Sequence, residues 1–239
     1  MRFTTVLWDV DGTLLDFSYS QRYAITKCFH SIGREITEEM IERYAQINDS
    51  FWKRLELGEI TKKELLPGRF LALFEEYHIT GVDVEAFRRE YQEALGSVYC
   101  YIDDSLDVCR FLQGKVKQYV VTNGVASTQE NKLKLSGLRD VMDGLFISEN
   151  IGAPKPHKAF FDYCLSHVQE KDKKKILIVG DSLSSDIKGG FLAGISTCWY
   201  RPEGTLNTSE LLPDYEISDL HQIYDILLRD SYAAPGNGE

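Results

Sequence analysis

The sequence has few cysteines, the residues that form disulfides in small secreted domains and bind zinc in others. Its 239 residues include five cysteines, which form no CxxC pair and leave one over. That pattern fits neither a disulfide framework nor a zinc cluster, so we expect reduced thiols in a cytoplasmic protein. Residues 2–9 lack the apolar core of a signal peptide, and no apolar run approaches the about 20 residues that a membrane span needs.

A surplus of basic residues is also lacking. Lysine and arginine number 27 against 37 aspartates and glutamates, which gives a formal net charge of −10. Such a field repels polyanions, so we expect neither a nucleic acid polymer nor a membrane surface as a partner. A small phosphate ester is compatible with this charge, because one local cation can bind it.

Several catalytic motifs are missing. The sequence contains no GxxxxGK[ST] phosphate loop, no GxGxxG dinucleotide fingerprint, no HExxH zinc motif and no GxSxG nucleophile elbow. The five histidines are scattered without the spacing of metal ligands. The chemistry left to consider is a carboxylate nucleophile that works with a metal.

Short apolar runs alternate with helix-length segments over most of the chain. Strands separated by helices indicate an α/β fold, a Rossmann-like parallel sheet with helices on both faces. Ser127 with Glu130 forms a capping box that predicts the start of one core helix. The predicted strands are residues 3–10, 118–122, 145–147, 175–180, 197–200 and 215–217.

The strand pattern is interrupted between residues 17 and 99, where amphipathic helices follow one another. Within this stretch, Thr61 with Glu64 forms a second capping box. The sheet pattern begins before the stretch and resumes after it. We therefore predict a discontinuous core of residues 1–16 plus 100–239 and an α-helical cap of residues 17–99 over the carboxyl end of the sheet.

Four polar clusters stand where predicted strands end, which is where open α/β sheets bind ligands. Each cluster alone is explained as well by a turn, a surface charge or a helix start. Together their four aspartates would repel one another unless a cation lay among them, and oxygen ligands of this kind suit Mg²⁺. The clusters are Asp9-Val-Asp11-Gly-Thr13, Thr122-Asn123-Gly124, Lys155 in Ala-Pro-Lys-Pro, and Gly180-Asp181 with Asp186.

In this order, the clusters resemble the signature of the haloacid dehalogenase superfamily of aspartyl-phosphate phosphatases. The resemblance spans nearly the whole chain, and the helical insertion is similar to the cap that the superfamily carries between its first and second motifs. Further stretches look like a bacterial branch of 5′-nucleotidases that act mainly on pyrimidine and non-standard nucleoside monophosphates. These stretches are residues 122–124, 136–138, 147–152, 155–156 and 160–163.

The resemblance implies a role for each matched residue. Asp9 would be the nucleophile, and Asp11 would act as general acid and then general base. Mg²⁺ would be held by Asp9, Asp181 and the main-chain carbonyl of Asp11. Asp186 would orient a water on the metal. The transferring phosphoryl group would be bound by Thr122, Asn123, Gly124 and Lys155.

The implied activity is hydrolysis of a small phosphate ester, a nucleoside 5′-monophosphate, by a monomer or weak dimer. A sugar-phosphate phosphatase, a phosphoglycolate phosphatase or a phosphomutase is the alternative, because these enzymes share the core chemistry. Dehalogenation is disfavoured, since the superfamily's dehalogenases lack an aspartate at the position of Asp11. A catalytically silent binding module is the alternative outside the enzymes.

Aromatic residues of the insertion allow two interpretations. Phe17, Tyr19, Phe51 and Trp52 could form a pocket that stacks on a nucleobase. Packing between helices is the favoured explanation for any one of them.

Overall fold

A six-stranded parallel sheet forms the centre of the molecule. The computed structural model describes residues 2–202, 204 and 210–228. The spatial order of the strands is β3-β2-β1-β4-β5-β6, and every neighbouring pair is parallel, which confirms the predicted α/β core. The strands are β1 (Thr5–Trp8), β2 (Lys117–Thr122), β3 (Gly144–Ile147), β4 (Ile176–Gly180), β5 (Ser196–Tyr200) and β6 (Tyr215–Ile217).

Four helices follow β1 along the chain. They bury an apolar cluster of their own, in which the rings of Tyr44 and Phe70 stack at 5.5 Å. The capping box predicted there is confirmed, because Thr61 Oγ1 accepts the Glu64 N–H and Glu64 Oε2 accepts the Thr61 N–H. The helices are α1 (Phe17–Ser31), α2 (Glu38–Glu56), α3 (Lys62–Glu76) and α4 (Val84–Gly96).

The segments that connect these four helices to the sheet lie next to each other. The N–H of Asp16, just before α1, donates to the carbonyl of Cys100, just after α4, at 2.9 Å. The two connecting segments therefore run side by side. This arrangement supports the division into a core of residues 1–16 plus 100–239 and a cap of residues 17–99, which we keep as our proposal for the domains.

The remaining helices lie between the strands or after the last one. A π-helical turn, Leu183–Ile187, follows β4. No helix in the described part of the chain is long and apolar enough to cross a bilayer. The remaining helices are α5 (Ser105–Leu112), α6 (Ala126–Leu135), α7 (Ser148–Ile151), α8 (Lys158–His167), α9 (Lys188–Ala193) and α10 (Ile223–Leu228).

Both faces of the sheet are covered, which explains why its central strands, β1 and β4, are apolar at almost every position. Val6 and Leu177 belong to the cluster on one face, and Leu7 and Ile178 belong to the cluster on the other. Neighbouring residues of a strand point to opposite faces, so each short run contributes to both clusters. The polar residues therefore gather at the strand ends.

The start of α6 differs from the prediction. Ser127 and Glu130 form no capping box, and the helix begins at Ala126 without a side-chain cap from its own sequence. The Ala126 N–H donates instead to Glu149 Oε2, in α7, at 2.7 Å. A contact from a distant segment therefore replaces the local cap.

Helix α9 lies directly on the sheet, because Gly190 leaves no side chain between them. A Cβ at Gly190 would stand 2.6 Å from Ile178 Cγ2 and 2.7 Å from Thr197 Cγ2. These distances are shorter than real Cβ contacts, so the backbone approach requires glycine. The close packing holds the preceding π-helical turn against the end of β4.

We expect Gly190→Ala to lower the free energy of unfolding by about 1–3 kcal/mol, because overpacking forces the helix off the sheet. Urea unfolding followed by circular dichroism measures the change. Leu192→Ala, at an exposed position of the same helix, is the control and should stay within about 0.5 kcal/mol of the wild type. A Gly190→Ala protein as stable as the wild type would contradict the packing argument.

Candidate active site

A cleft of about 740 Å³ opens at the carboxyl edge of the sheet, between the strand ends and helices α1 and α2. This edge is where the order of the strands reverses around β1, the position at which open α/β sheets bind ligands. The fold brings all the predicted site residues into this one cleft, and their chemical roles stay predictions. They are Asp9, Asp11, Thr122, Asn123, Gly124, Lys155, Asp181 and Asp186.

Lys155 is the buried cation of the cleft. Its Nζ donates to Asp9 Oδ1 at 2.6 Å, to Asp186 Oδ1 at 2.7 Å and to the Val121 carbonyl at 2.9 Å. Burial by itself lowers the pKa of Lys155, but the carboxylates of Asp186 and Asp9 outweigh burial and raise the pKa above its usual value. Lys155 therefore stays charged beside the predicted nucleophile.

Three carboxylates crowd this cation. Asp9, Asp181 and Asp186 each place an oxygen within 4.8 Å of the others. Burial raises the pKa of Asp9, Lys155 opposes the rise, and Asp186 adds to it. Burial and the negative charges of Asp9 and Asp186 raise the pKa of Asp181. Because the Asp181 residue is exposed to the cleft, we ascribe this rise chiefly to the two like charges.

The donor set fits a magnesium ion. One lysine does not neutralise three aspartates, and a divalent cation bound by carboxylate oxygens relieves the remaining repulsion. Asp186 has both oxygens engaged, by Lys155 and by the Ser182 N–H at 3.2 Å. Asp9 Oδ2 and Asp181 Oδ1 share the longer contacts of the Thr13 hydroxyl, at 3.5 and 3.4 Å, so these two carboxylates are the better placed to bind a metal.

The Asp11 carboxylate is held by helix α6. Its Oδ1 accepts from Lys132 Nζ at 2.7 Å, and its Oδ2 accepts from Gln129 Nε2 at 2.6 Å. Lys132 is fully buried, so its charge acts on Asp11 with little screening by water. The sequence analysis missed both residues, and the only signal was their spacing of three, which places them on one face of a helix.

The segment from Thr122 to Gly124 is ordered by its own hydrogen bonds. The Gly124 N–H donates to Thr122 Oγ1 at 3.0 Å, so in this structure that amide faces the hydroxyl. Asn123 fixes the backbone of Lys155, because its Oδ1 accepts the Lys155 N–H at 2.8 Å and its Nδ2 donates to the Lys155 carbonyl at 3.0 Å. A Cβ at Gly124 would lie 2.3 Å from Gln129 Nε2, so a larger residue here would displace the side chain that binds Asp11.

Helix α2 forms the opposite wall of the cleft. Asn48, Trp52 and Glu56 follow at intervals of four residues and therefore share the face that lines the cleft. The Glu56 carboxylate accepts a hydrogen bond from Ser184 in the π-helical turn, so the wall contacts the core at this point. The sequence analysis named Trp52 alone among the three.

The aromatic residues divide between the two interpretations. Phe17 and Trp52 line the cleft. Phe51 packs among the residues that fill the interior of the four helices, and Tyr19 is about half exposed. Helix packing explains Phe51 and also involves Phe17, which packs against the same interior cluster. Phe17 and Trp52 leave aromatic surface at the cleft.

The family of haloacid dehalogenase-like hydrolases matches residues 3–194, a span that includes every predicted site residue. The chain belongs to this family. Its members are hydrolases, which agrees with a cleft that combines a carboxylate, a cation and the donor set of a metal site.

Three bacterial relatives of this hydrolase match it along nearly its whole length. YfnB of Bacillus subtilis is 38% identical over 226 residues, covering 95% of this chain and 96% of YfnB. The pyrimidine 5′-nucleotidase PynA of Streptococcus pneumoniae is 33% identical, covering 95% and 96%. The pyrimidine 5′-nucleotidase YjjG of Escherichia coli is 29% identical, covering 96% and 100%. The similarity therefore includes the four-helix insertion as well as the core.

The crystal structure of YfnB bound to magnesium is similar to this hydrolase, with a TM-score of 0.90 and 37% identity. The match covers 96% of this chain and 100% of that one. The YfnB structure reveals interdomain movement in that protein. The two chains share one fold over that span.

We expect Mg²⁺ to stabilise the folded hydrolase by relieving repulsion in the acidic cluster. At a concentration about 100 times the dissociation constant, binding adds about 2.7 kcal/mol and raises the thermal midpoint. Asp181→Asn removes one charge and one ligand, so its midpoint should respond less to Mg²⁺. Asp162→Asn, in an exposed ion pair with Lys158, is the control and should respond as the wild type does. An equal response of Asp181→Asn would contradict the metal site.

Proposed function

We propose that this hydrolase is a Mg²⁺-dependent phosphatase that cleaves nucleoside 5′-monophosphates through an aspartyl-phosphate intermediate. The observation that carries the proposal is the pairing of Asp9 with Lys155 at 2.6 Å in a cleft that also contains Asp11. A carboxylate of this kind is a nucleophile for phosphorus, and a second carboxyl group two residues later can transfer protons.

The first half of the reaction transfers the phosphoryl group to the protein. Asp9 attacks the phosphorus, and the bond between phosphorus and the ester oxygen breaks. Asp11, as a carboxylic acid, gives its proton to that oxygen, which leaves as an alcohol. Lys155 offsets the negative charge of the phosphoryl oxygens, helped by the Thr122 hydroxyl and the main-chain amides of Asn123 and Gly124. The Gly124 amide donates to Thr122 Oγ1 in the free protein and would exchange that acceptor for a phosphoryl oxygen.

The second half releases phosphate. Water attacks the phosphorus of the aspartyl-phosphate, Asp11 takes the proton from that water, and the bond to Asp9 breaks. Lys132 and Gln129 each bind one oxygen of Asp11, so they fix the direction of the carboxylate that accepts this proton. The products are inorganic phosphate and the free side chain of Asp9.

The metal would be held by Asp9, Asp181 and the main-chain carbonyl of Asp11. When bound, Mg²⁺ supplies the positive charge that lets two anions, the nucleophile and the phosphate, approach each other. Asp186, which accepts a hydrogen bond from Lys155, would orient the groups around the metal site.

The nucleotide assignment draws on relatives and on the cleft. PynA and YjjG, which cover this chain almost completely, are pyrimidine 5′-nucleotidases. Phe17 and Trp52 border the same cleft as Asp9 and offer flat apolar surfaces to a base. A base in this position would lie beside the two aromatic side chains of the insertion.

We further propose that the protein acts in the cytoplasm on a small-molecule ester, as a monomer or weak dimer. Its five cysteines are free and four of them are buried, which suits a reducing compartment. The net charge of −10 opposes binding to polyanions.

Phosphate release from a panel of esters at neutral pH with Mg²⁺ tests the proposal. Pyrimidine nucleoside monophosphates should exceed sugar phosphates and phosphoglycolate in kcat/KM by about tenfold, a difference of about 1.4 kcal/mol in the transition state. Asp9→Asn should lower turnover by about 10⁴-fold or more, because it removes the nucleophile. A higher kcat/KM for sugar phosphates would leave the mechanism intact and overturn the substrate assignment. An active Asp9→Asn protein would overturn the mechanism.

We expect Lys132→Met to impair proton transfer by Asp11, because the carboxylate loses the cation that orients it. The value of kcat/KM for a nucleoside monophosphate, whose alcohol must be protonated, should fall about 10²-fold. For p-nitrophenyl phosphate, whose phenolate leaves without a proton, the loss should be about threefold or less. Lys134→Met, exposed on the same helix, is the control. Equal losses on both substrates would show that Lys132 acts on folding alone.

A further inference from the structure

Lys62, the first residue of α3, reaches from the inserted helices to the core. The capping box of Thr61 and Glu64 begins α3 at this residue, so the backbone from which the lysine extends is fixed. Its Nζ donates to the Gly124 carbonyl at 2.7 Å. The side chain is only 20% exposed, so the contact is largely shielded from water. A side chain of the insertion therefore binds the loop that follows β2.

The described residues give the Lys62 ammonium no counter-charge within hydrogen-bond distance. The carboxylate that it faces, Glu149 Oε2, lies 4.0 Å away on a side chain that is 44% exposed. An ion pair of this length and exposure contributes little. Burial lowers the pKa of Lys62 to about 8, while Glu149 opposes the fall and Arg69 adds to it. The Gly124 carbonyl is therefore the main partner of this cation.

Lys62 lies where the site loop joins helix α6. Its acceptor, Gly124, stands two residues before the helix begins. The Glu149 carboxylate that it faces accepts the Ala126 N–H at the start of that helix. Helix α6 carries the two side chains that bind the Asp11 carboxylate. One lysine of the insertion thus contacts the junction between the predicted phosphoryl-binding loop and the helix that holds Asp11.

The Gly124 carbonyl needs a partner from outside the loop, because glycine restrains its own backbone less than any other residue does. A larger residue is not available to stiffen this position, since a Cβ would lie 2.3 Å from Gln129 Nε2. The N–H of the same glycine donates to Thr122 Oγ1 and is the amide that we expect to turn to a phosphoryl oxygen. By holding the carbonyl, Lys62 limits the rotation of the residue that carries this amide.

We propose that Lys62 is a positioning residue that holds the Gly124 carbonyl and thereby keeps residues 122–124 in the conformation that binds the transferring phosphoryl group. The inference rests on the proposed function, because it concerns the phosphoryl part of that same site. Lys62 touches no substrate atom and acts through Gly124. Every phosphate ester presents the same phosphoryl group to this loop, so the effect of Lys62 is independent of the leaving group.

The variant Lys62→Met tests this assignment, because methionine keeps an unbranched side chain and removes both the donor and its charge. We expect kcat/KM to fall about tenfold for p-nitrophenyl phosphate and for uridine 5′-monophosphate, with the two losses equal within about threefold. The inhibition constant of inorganic phosphate, the product that both esters share, should rise about threefold or more. A loss confined to uridine 5′-monophosphate would place Lys62 at the leaving group and overturn the proposal.

Two further variants control for the change itself. Lys63→Met makes the same substitution at the exposed neighbouring position and should match the wild type in both assays. Lys62→Arg keeps a charged donor and should lose about threefold or less in kcat/KM. If Lys62→Arg loses as much as Lys62→Met, the donor is not what matters and the proposal is overturned. Thermal midpoints show that all three variants fold.

Hydrogen–deuterium exchange reads the loop directly, without turnover. In the free protein, a peptide that spans residues 122–126 should exchange about threefold or more faster in Lys62→Met than in Lys63→Met, because the loop opens more often. A peptide that spans β1 should exchange at the same rate in both variants. Equal exchange of the loop peptide would contradict a positioning role.

The activity of the wild type separates this inference from the proposed function. If the wild type with Mg²⁺ releases phosphate from neither ester, the proposed function fails and this inference fails with it. If the wild type hydrolyses p-nitrophenyl phosphate and Lys62→Met does so equally well, the proposed function stands and the role of Lys62 alone is overturned.

Discussion

The buried contact of Lys155 with Asp9 and Asp186 is the constraint on which the rest of the site depends. Removing three charged groups from water is costly, so the contact is favourable only when all three meet at hydrogen-bond distance. The ammonium joins the end of β1, the loop before α8 and the turn after β4. Asn123, at the end of β2, fixes the backbone of Lys155 by two hydrogen bonds. Four segments of the chain are therefore held in place by contacts with Lys155.

The same contact leaves the site short of positive charge. Lys155 offsets part of the repulsion among Asp9, Asp181 and Asp186, which lie within 4.8 Å of one another. Because the cation is already committed to two carboxylates, the remaining charge favours a divalent metal. The edge of the sheet thus gathers the predicted nucleophile, a cation and the predicted metal ligands, while Asp11, the predicted proton-transfer group, is held separately by α6.

Helix α6 links the core of the site to the inserted helices. It carries the two side chains that hold Asp11, and its Thr128 hydroxyl donates to Gln92 Oε1 of α4 at 2.9 Å. On the other side of the cleft, Glu56 of α2 accepts from Ser184. The inserted helices therefore contact α6, the helix that holds the predicted proton-transfer residue Asp11, and the turn that carries Asp186. A movement of these helices would therefore change the surroundings of Asp11 and of Asp186.

The sequence by itself determined the parallel sheet, the helical insertion and the aspartates that follow the strand ends, because apolar runs and strand-end polarity are local patterns. Thr61 was predictable as a cap for the same reason. Ser127 was not a cap, because Glu149 supplies the acceptor from a distant segment. Lys155 lies beyond α7, in the loop before α8, and only the tertiary structure brings it to that edge. Only the tertiary structure decided that Lys132 holds Asp11 and that Lys62 binds Gly124, since contacts between residues far apart in the chain leave no periodicity in the sequence.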